Sequence, residues 1–285
     1  MIDSLELADR GLTALPADLS RHTGLTQLNL WRNRLEEVEP ELWTLTSLEI
    51  LILADNGVRS LPAGIGQLRR LHTLDLGHNA LTTVPEELGD LTALSRFLYL
   101  HDNRITELPA SIGRLAQLRY FNVSENALAS LPDTIGGLAA LRELRASENA
   151  LTAVPASLGS LASLRELHLQ KNQLTALPES IGRLTSLRRL YLSDNRLGGL
   201  PDSAATLTSL AELELRNNAL SAFPDCVRGM TALERLDLRG NRIRALPAWI
   251  TELERLEKLD LRWTPIDERS EVVAALEGRG CLVYC

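Results

Sequence analysis

A 23-residue period governs this sequence. Asparagines recur at Asn33, Asn56, Asn79, Asn103, Asn126, Asn149, Asn172, Asn195, Asn218 and Asn241, and every step is 23 residues except the 24 from Asn79 to Asn103. Around each one the pattern L-x-x-L-x-L-x-x-N-x-L returns, as in Leu164, Leu167, Leu169, Asn172 and Leu174. Ten full copies are visible, flanked by two degenerate ones with Arg10 and Thr264 in the Asn position. One such unit cannot bury a hydrophobic face alone, so the chain is confined to a stack of about twelve similar turns. Stacking also lets 285 residues share a continuous core, which a single globular core of that length could not do.

The residue types follow from that geometry. Strand side chains alternate between faces, so x-L-x-L sends its leucines into the core and the residues between them onto an open sheet face. Each turn is expected to contribute one short strand. The Asn amide offers both a donor and an acceptor; turned inward, it can satisfy backbone groups of its own bend and of the next turn, which Asp could not. Proline follows at Pro16, Pro62, Pro85, Pro109, Pro132, Pro155, Pro178, Pro201, Pro224 and Pro247, with Glu39 in that place once and Pro40 just after. It stops the strand and presets a turn or short helical return. Gly89, Gly113, Gly136, Gly159 and Gly182 fit a turn end that needs permissive backbone angles.

This repeat, followed by L-P-x-x-I-G-x-L as in Leu177, Pro178, Ile181, Gly182 and Leu184, resembles the leucine-rich-repeat family over roughly residues 2–266. The spacing is most similar to the 23-residue intracellular repeats of bacterial proteins, of plant Ras-group-related proteins and of Ras-pathway scaffolds. The resemblance implies an α/β fold: a right-handed curved solenoid, or horseshoe, with a parallel sheet on its concave face and short helical or 3-10 segments on the convex one. It also implies protein recognition through the concave face rather than catalysis. One domain, 1–285, is expected: a degenerate first repeat at 1–24, repeats over 25–255, and the last degenerate repeat with a C-terminal cap at 256–285. In that cap Asp267 is placed to start a helix with an apolar stripe of Val272, Val273 and Leu276. Gly278 and Gly280 then break it, and Leu282 to Tyr284 return as a strand. The cap points to a complete chain, while the first strand leaves an edge that can pair with another chain.

Charge narrows the partner. Thirty Lys and Arg stand against 37 Asp and Glu, a net charge of -7. Nucleic acid and anionic membranes both need a basic face, so neither is expected as a partner. The first residues carry no basic and apolar leader, and no apolar run reaches the roughly 18 residues of a membrane span. A cytoplasmic monomer is the expectation, with export by a non-standard route as the alternative. The three cysteines, Cys226, Cys281 and Cys285, are expected as free thiols and without a metal.

The variable outward positions carry what functional information there is. The copies up to Tyr120 gather Trp31, Ile50, Ile52, Phe97, Tyr99, His101 and Tyr120 there, in a chain with only 4% aromatic residues. Arg145, His168 and Tyr191 extend the set. Exposed rigid aromatics are what protein-binding hot spots use. The extra residue between Leu94 and Leu98 either bulges the sheet, turning Phe97 inward, or is absorbed on the convex side. Further on, Glu214, Asp237 and Asp260 form an acidic column beside a basic one of Arg216, Arg239 and Arg262, read as a self-paired, solvated face or as a charged docking strip.

Other motifs dissolve in the repeat register. Gly64 and Gly66 spell G-x-G, but no third glycine follows for a nucleotide loop. Asp75, His78 and His101 come from adjacent turns with no further ligand or supporting shell for a metal. No catalytic arrangement or cofactor motif stands out. The reading is a non-catalytic adaptor, scaffold or inhibitor that binds a protein. An exported or host-directed bacterial effector is the alternative, and an enzyme the further one.

Overall fold

A computed structural model describes residues 3–267 and 270–285; Met1, Ile2, Glu268 and Arg269 lie outside the described residues. The chain forms two compact units, Met1–Ala150 and Leu151–Cys285. Each is a stack of turns carrying one three-residue strand apiece.

In the first unit the strands are β1 (Ser4–Glu6), β2 (Gln27–Asn29), β3 (Ile50–Ile52), β4 (Thr73–Asp75), β5 (Phe97–Tyr99), β6 (Tyr120–Asn122) and β7 (Glu143–Arg145). Neighbours in sequence pair in parallel. The second unit repeats the plan with β8 (Glu166–His168), β9 (Arg189–Tyr191), β10 (Glu212–Glu214), β11 (Arg235–Asp237), β12 (Lys258–Asp260) and β13 (Leu282–Tyr284). The chain returns along the back of each turn as a single 3-10 turn such as Ala63–Gln67 or Glu179–Arg183. From Ala63–Gln67 onward these begin directly after an extended proline, and Pro40–Thr44 begins after Glu39 with Pro40 in the first helical place, whereas the first, Leu19–Arg21, follows Asp18. The core lies between strand and 3-10 turn, and its repeated leucines, Leu74, Leu76 and Leu81 in one turn, are fully buried.

The asparagines turn inward, but toward the preceding turn rather than the next. Asn56 Oδ1 accepts the Leu35 N–H at 3.0 Å, while its amide donates to Leu30 O at 3.0 Å and to Leu53 O of its own turn at 3.1 Å. Arg10, in the Asn position of the first described turn, has its own N–H capped by Asn33 Oδ1 at 3.0 Å.

The turn glycines also need a different account. None of Gly89, Gly113, Gly136, Gly159 or Gly182 has positive φ. Gly89, Gly113, Gly159 and Gly182 are small because successive 3-10 turns touch, as Gly137 is in the turn that also holds Gly136: a Cβ on Gly89 would collide with Ser111, and one on Gly182 with the Ser203 carbonyl. The left-handed backbone sits instead just before the asparagine, at residues such as Arg32, Asp55, His78 and Asp102, with Gly240 the glycine of that series. Gly64 abuts the buried Trp43 indole, its Cβ position 2.7 Å from the ring, which is a packing reason for the G-x-G.

At the C-terminal end α1 spans Glu271–Gly278, with Val273 and Leu276 buried. Its cap is Ser270, whose side chain accepts from Val273 N–H at 3.3 Å, and not Asp267. Ser270 stands one residue before the first turn of the helix, where a hydroxyl reaches the third amide; Asp267 is three residues too early.

Candidate functional site

Alternation along β5 and β6 sends Leu98 and Phe121 into the core and leaves Phe97, Tyr99 and Tyr120 on the open face of the first unit. The three rings touch. Phe97 stacks on Tyr99 with centroids 5.8 Å apart and meets Tyr120 edge-on at 5.6 Å, and Tyr99 and Tyr120 are 5.1 Å apart. His101 continues the cluster at 5.7 Å from Tyr99 and meets His78 at 4.8 Å. Arg145 lies 5.9 Å over the Tyr120 ring, held from behind by Glu143 at 2.6 Å. Five contiguous rings, three on the strands and two in the bends just after them, have few rotamers left to lose, which makes them efficient contact surface.

The extra residue does not disturb this arrangement. β5 pairs in unbroken register with β4 and β6, Thr73↔Phe97↔Tyr120. Arg96 takes the backbone place that His72 holds one turn earlier, donating to His72 O at 3.0 Å as His72 donates to Glu49 O. The insertion is therefore absorbed at Ser95, before the strand starts, neither as a bulge within the sheet nor in the 3-10 return. Phe97 points outward and is 40% exposed.

Burial shapes the chemistry of the patch. The Tyr120 phenol is pushed up to about 12, chiefly by burial, and Tyr99 upward for the same reason. Both hydroxyls stay protonated and neutral. The His101 ring lies on the backbone of Gly77, where any Cβ would collide with it, and burial lowers its pKa. Its buried Nδ1 has no hydrogen-bond partner. His78 turns its Nδ1 to Asp102 instead of joining His101 and Asp75 on a common point.

Trp31, Ile50 and Ile52 stand on the same face but apart from the rings. Trp31 is 42% exposed, with Arg32 at 5.8 Å from its ring. Ile50 and Ile52 lie on β3, and β4, carrying Thr73 and Asp75, separates them from β5. The sequence pattern showed every one of these outward positions. It did not show that Asp75 divides the apolar surface, nor that Gly77 makes the room in which His101 lies. A glycine in an outward column beside a large ring was the available signal for the second.

The second unit has its own features. His168 and Tyr191 stack at 4.5 Å, and the Tyr191 hydroxyl donates to Glu212 at 3.2 Å. Burial, then Glu212, pushes that phenol up to about 12. The charged columns pair with each other only in part: Arg239 with Asp237 and, at 3.5 Å, Asp260, and Arg262 with Asp260 at 2.7 Å, whereas Arg216 turns to Asp194 at 3.1 Å and Glu214 accepts from the Ser193 hydroxyl at 3.3 Å. Asp260 departs from the solvated strip expected of it. Arg239 and Arg262 close over it, leaving it 2% exposed, and its carboxyl is held below the usual range by those hydrogen bonds and charges despite its burial.

Comparison with known proteins follows the same repeat. The family described as Leucine rich repeat matches residues 23–81, 46–105, 147–197, 185–243 and 208–266, and the Leucine-rich repeat region matches 94–171. No curated protein matches the sequence. Among solved structures, a leucine-rich-repeat protein of Leptospira interrogans is 26% identical with TM-score 0.61, over 100% of this chain and 96% of that one. The functional domain of InlJ from Listeria monocytogenes is 25% identical with TM-score 0.81, over 99% of this chain and 57% of that one. The plant peptide hormone receptor RGFR1, solved in complex with RGF2, is 25% identical with TM-score 0.61, over 92% and 52%. Among the described residues no helix is long and apolar enough to cross a membrane.

Proposed function

The chain belongs to the leucine-rich-repeat family, and from that premise we propose that it is a non-catalytic protein-recognition module, an adaptor, scaffold or inhibitor, whose binding surface is the open sheet face. The observation that carries this is the contiguous cluster of Phe97, Tyr99, Tyr120, His101 and His78 on that face of the first unit. Trp31, Ile50, Ile52 and Arg145 extend the surface there, and His168 and Tyr191 form a smaller one in the second unit. Side chains that fill no core yet touch one another form a contiguous exposed surface, and aromatic anchors of this kind each contribute about 2 kcal/mol or more to an interface.

RGFR1 carries RGF2 in its complex, which supports a protein or peptide ligand for this chain as well. The net charge of -7 supports a protein partner rather than nucleic acid or an anionic membrane. A cytoplasmic monomer is the setting proposed. Affinity capture from native lysate, with wild type beside the Tyr99→Ala/Tyr120→Ala variant and read by mass spectrometry, tests the reading. A protein retained by wild type alone supports it. Identical sets from both remove the first unit's rings as the site.

A further inference from the structure

Asp75 is out of place on an otherwise ring-covered surface. It points out of β4 in register between Ile52 of β3 and Tyr99 of β5, so its carboxylate has an aliphatic side chain on one flank and an aromatic ring on the other, each about 5 Å away across the sheet. Its one recorded hydrogen bond is from the Gly77 N–H at 3.0 Å. Several carboxylates on the sheet faces are neutralised by arginine, Glu143 by Arg145 in the same unit and Asp237 and Asp260 by Arg239 and Arg262 in the second, while Glu214 takes the Ser193 hydroxyl instead. Among the described residues Asp75 has no lysine or arginine in salt-bridge range. The imidazoles nearby do not replace one, since His78 is bound to Asp102 and burial disfavours the charged form of His101.

A carboxylate half-stripped of water beside a ring face lacks a cation, and the cation it suits is planar. Guanidinium is weakly hydrated, stacks on an aromatic ring and bonds a carboxylate through two parallel N–H groups, whereas ammonium is a strongly hydrated point charge. We propose that this face binds its protein partner through an arginine side chain, the guanidinium paired with Asp75 and stacked on the Tyr99 ring. The inference rests on the protein-recognition reading and names the residue recognised. It also accounts for specificity: a partner without that arginine buries Asp75 unpaired and is rejected. Burial already raises the Asp75 carboxyl from its ordinary value, so the isolated protein holds this charge at a disadvantage that an arriving cation removes.

The test uses a phage-displayed random-peptide library panned on the full chain as wild type, as Asp75→Asn and as Tyr99→Ala/Tyr120→Ala. Asn keeps an acceptor for the Gly77 N–H, and circular dichroism and melting confirm that each variant is folded. Peptides recovered by wild type should carry arginine at least threefold above the library frequency. Asp75→Asn should abolish that excess, and the double variant should recover nothing above background. Recovery that needs the rings but shows no arginine excess, or an excess that survives Asp75→Asn, overturns the arginine inference alone. Absence of recovery by wild type, or recovery indifferent to the rings, overturns the recognition reading and the inference with it.

Discussion

Asn126 shows how much of the stack rests on one amide. Its Oδ1 accepts the Ile105 N–H at 2.9 Å, and its amide donates to Leu100 O at 2.9 Å and to Val123 O and Ser124 O, each at 3.1 Å. Asn126→Leu deletes all four bonds, yet three of the acceptors keep another donor: Leu100 O keeps Asn103, Val123 O keeps Asn149, and Ser124 O keeps the Asp102 N–H. The group left without a recorded partner is the Ile105 N–H, on a residue that is fully buried. An orphaned buried donor costs about 1–3 kcal/mol and each thinned carbonyl a fraction of that, so a loss of about 2–4 kcal/mol is expected. Asn126→Asp separates the two halves of the amide. It keeps an acceptor for Ile105 but aims a negative oxygen at the Leu100 and Val123 carbonyls, which raises its carboxyl pKa in the folded state. A group so raised is tolerated when protonated and destabilises as pH climbs through the folded value. Urea unfolding followed by circular dichroism at pH 4 and pH 7 reads both effects. Asn126→Asp should lie closer to wild type at pH 4 than at pH 7, and Asn126→Leu should lose the same at each. A loss under about 1 kcal/mol for Leu, or no pH dependence for Asp beyond that of wild type, refutes the reasoning.

Two glycines should respond to alanine with opposite signs. Gly89→Ala drives a Cβ into Ser111 and should destabilise by about 1–3 kcal/mol, whereas Gly198, with open space and no positive φ, should gain up to about 1 kcal/mol; thermal melts compare them. Asp75→Asn should raise the melting temperature at pH 7. Because burial raises the Asp75 pKa, the gain should shrink as pH falls below the carboxylate range, where both side chains are neutral. Of the three thiols, Cys285 is exposed, while Cys226 and Cys281 are buried, with burial pushing Cys226 up to about 11 and Cys281 upward. A thiol reagent at pH 8 should therefore titrate one group rapidly in the native protein and all three in denaturant.

The fold was legible because a 23-residue period repeats its own evidence. Leucine alternation placed the strands of the repeats, and proline placed the 3-10 turns from Ala63–Gln67 onward, though not the first, which follows Asp18. What stayed hidden depends on contacts between turns rather than within one. The direction of the Asn bonds is such a case, since Asn56 reads the same whether it caps Leu35 behind it or a residue ahead. Gly89 is another, because a glycine chosen for closeness to Ser111 looks like one chosen for φ. In the candidate site, period two exposed Phe97, Tyr99 and Tyr120. It did not decide where the extra residue goes, because Ser95 and Arg96 precede the strand where no leucine marks the register. The cap was misplaced on Asp267 because either residue type can cap, and only the helix's first turn, in register with Ser270, selects between them.

The central claim is that the ring cluster of the first unit is a binding surface and not part of the core. Calorimetric titration of the partner captured by wild type, against wild type and against Tyr99→Ala/Tyr120→Ala, tests it most directly when paired with a melting curve for each. Affinity should fall more than tenfold, with melting temperatures within a few degrees of each other. Unchanged affinity would contradict the account, and so would a collapse in stability large enough to explain the loss.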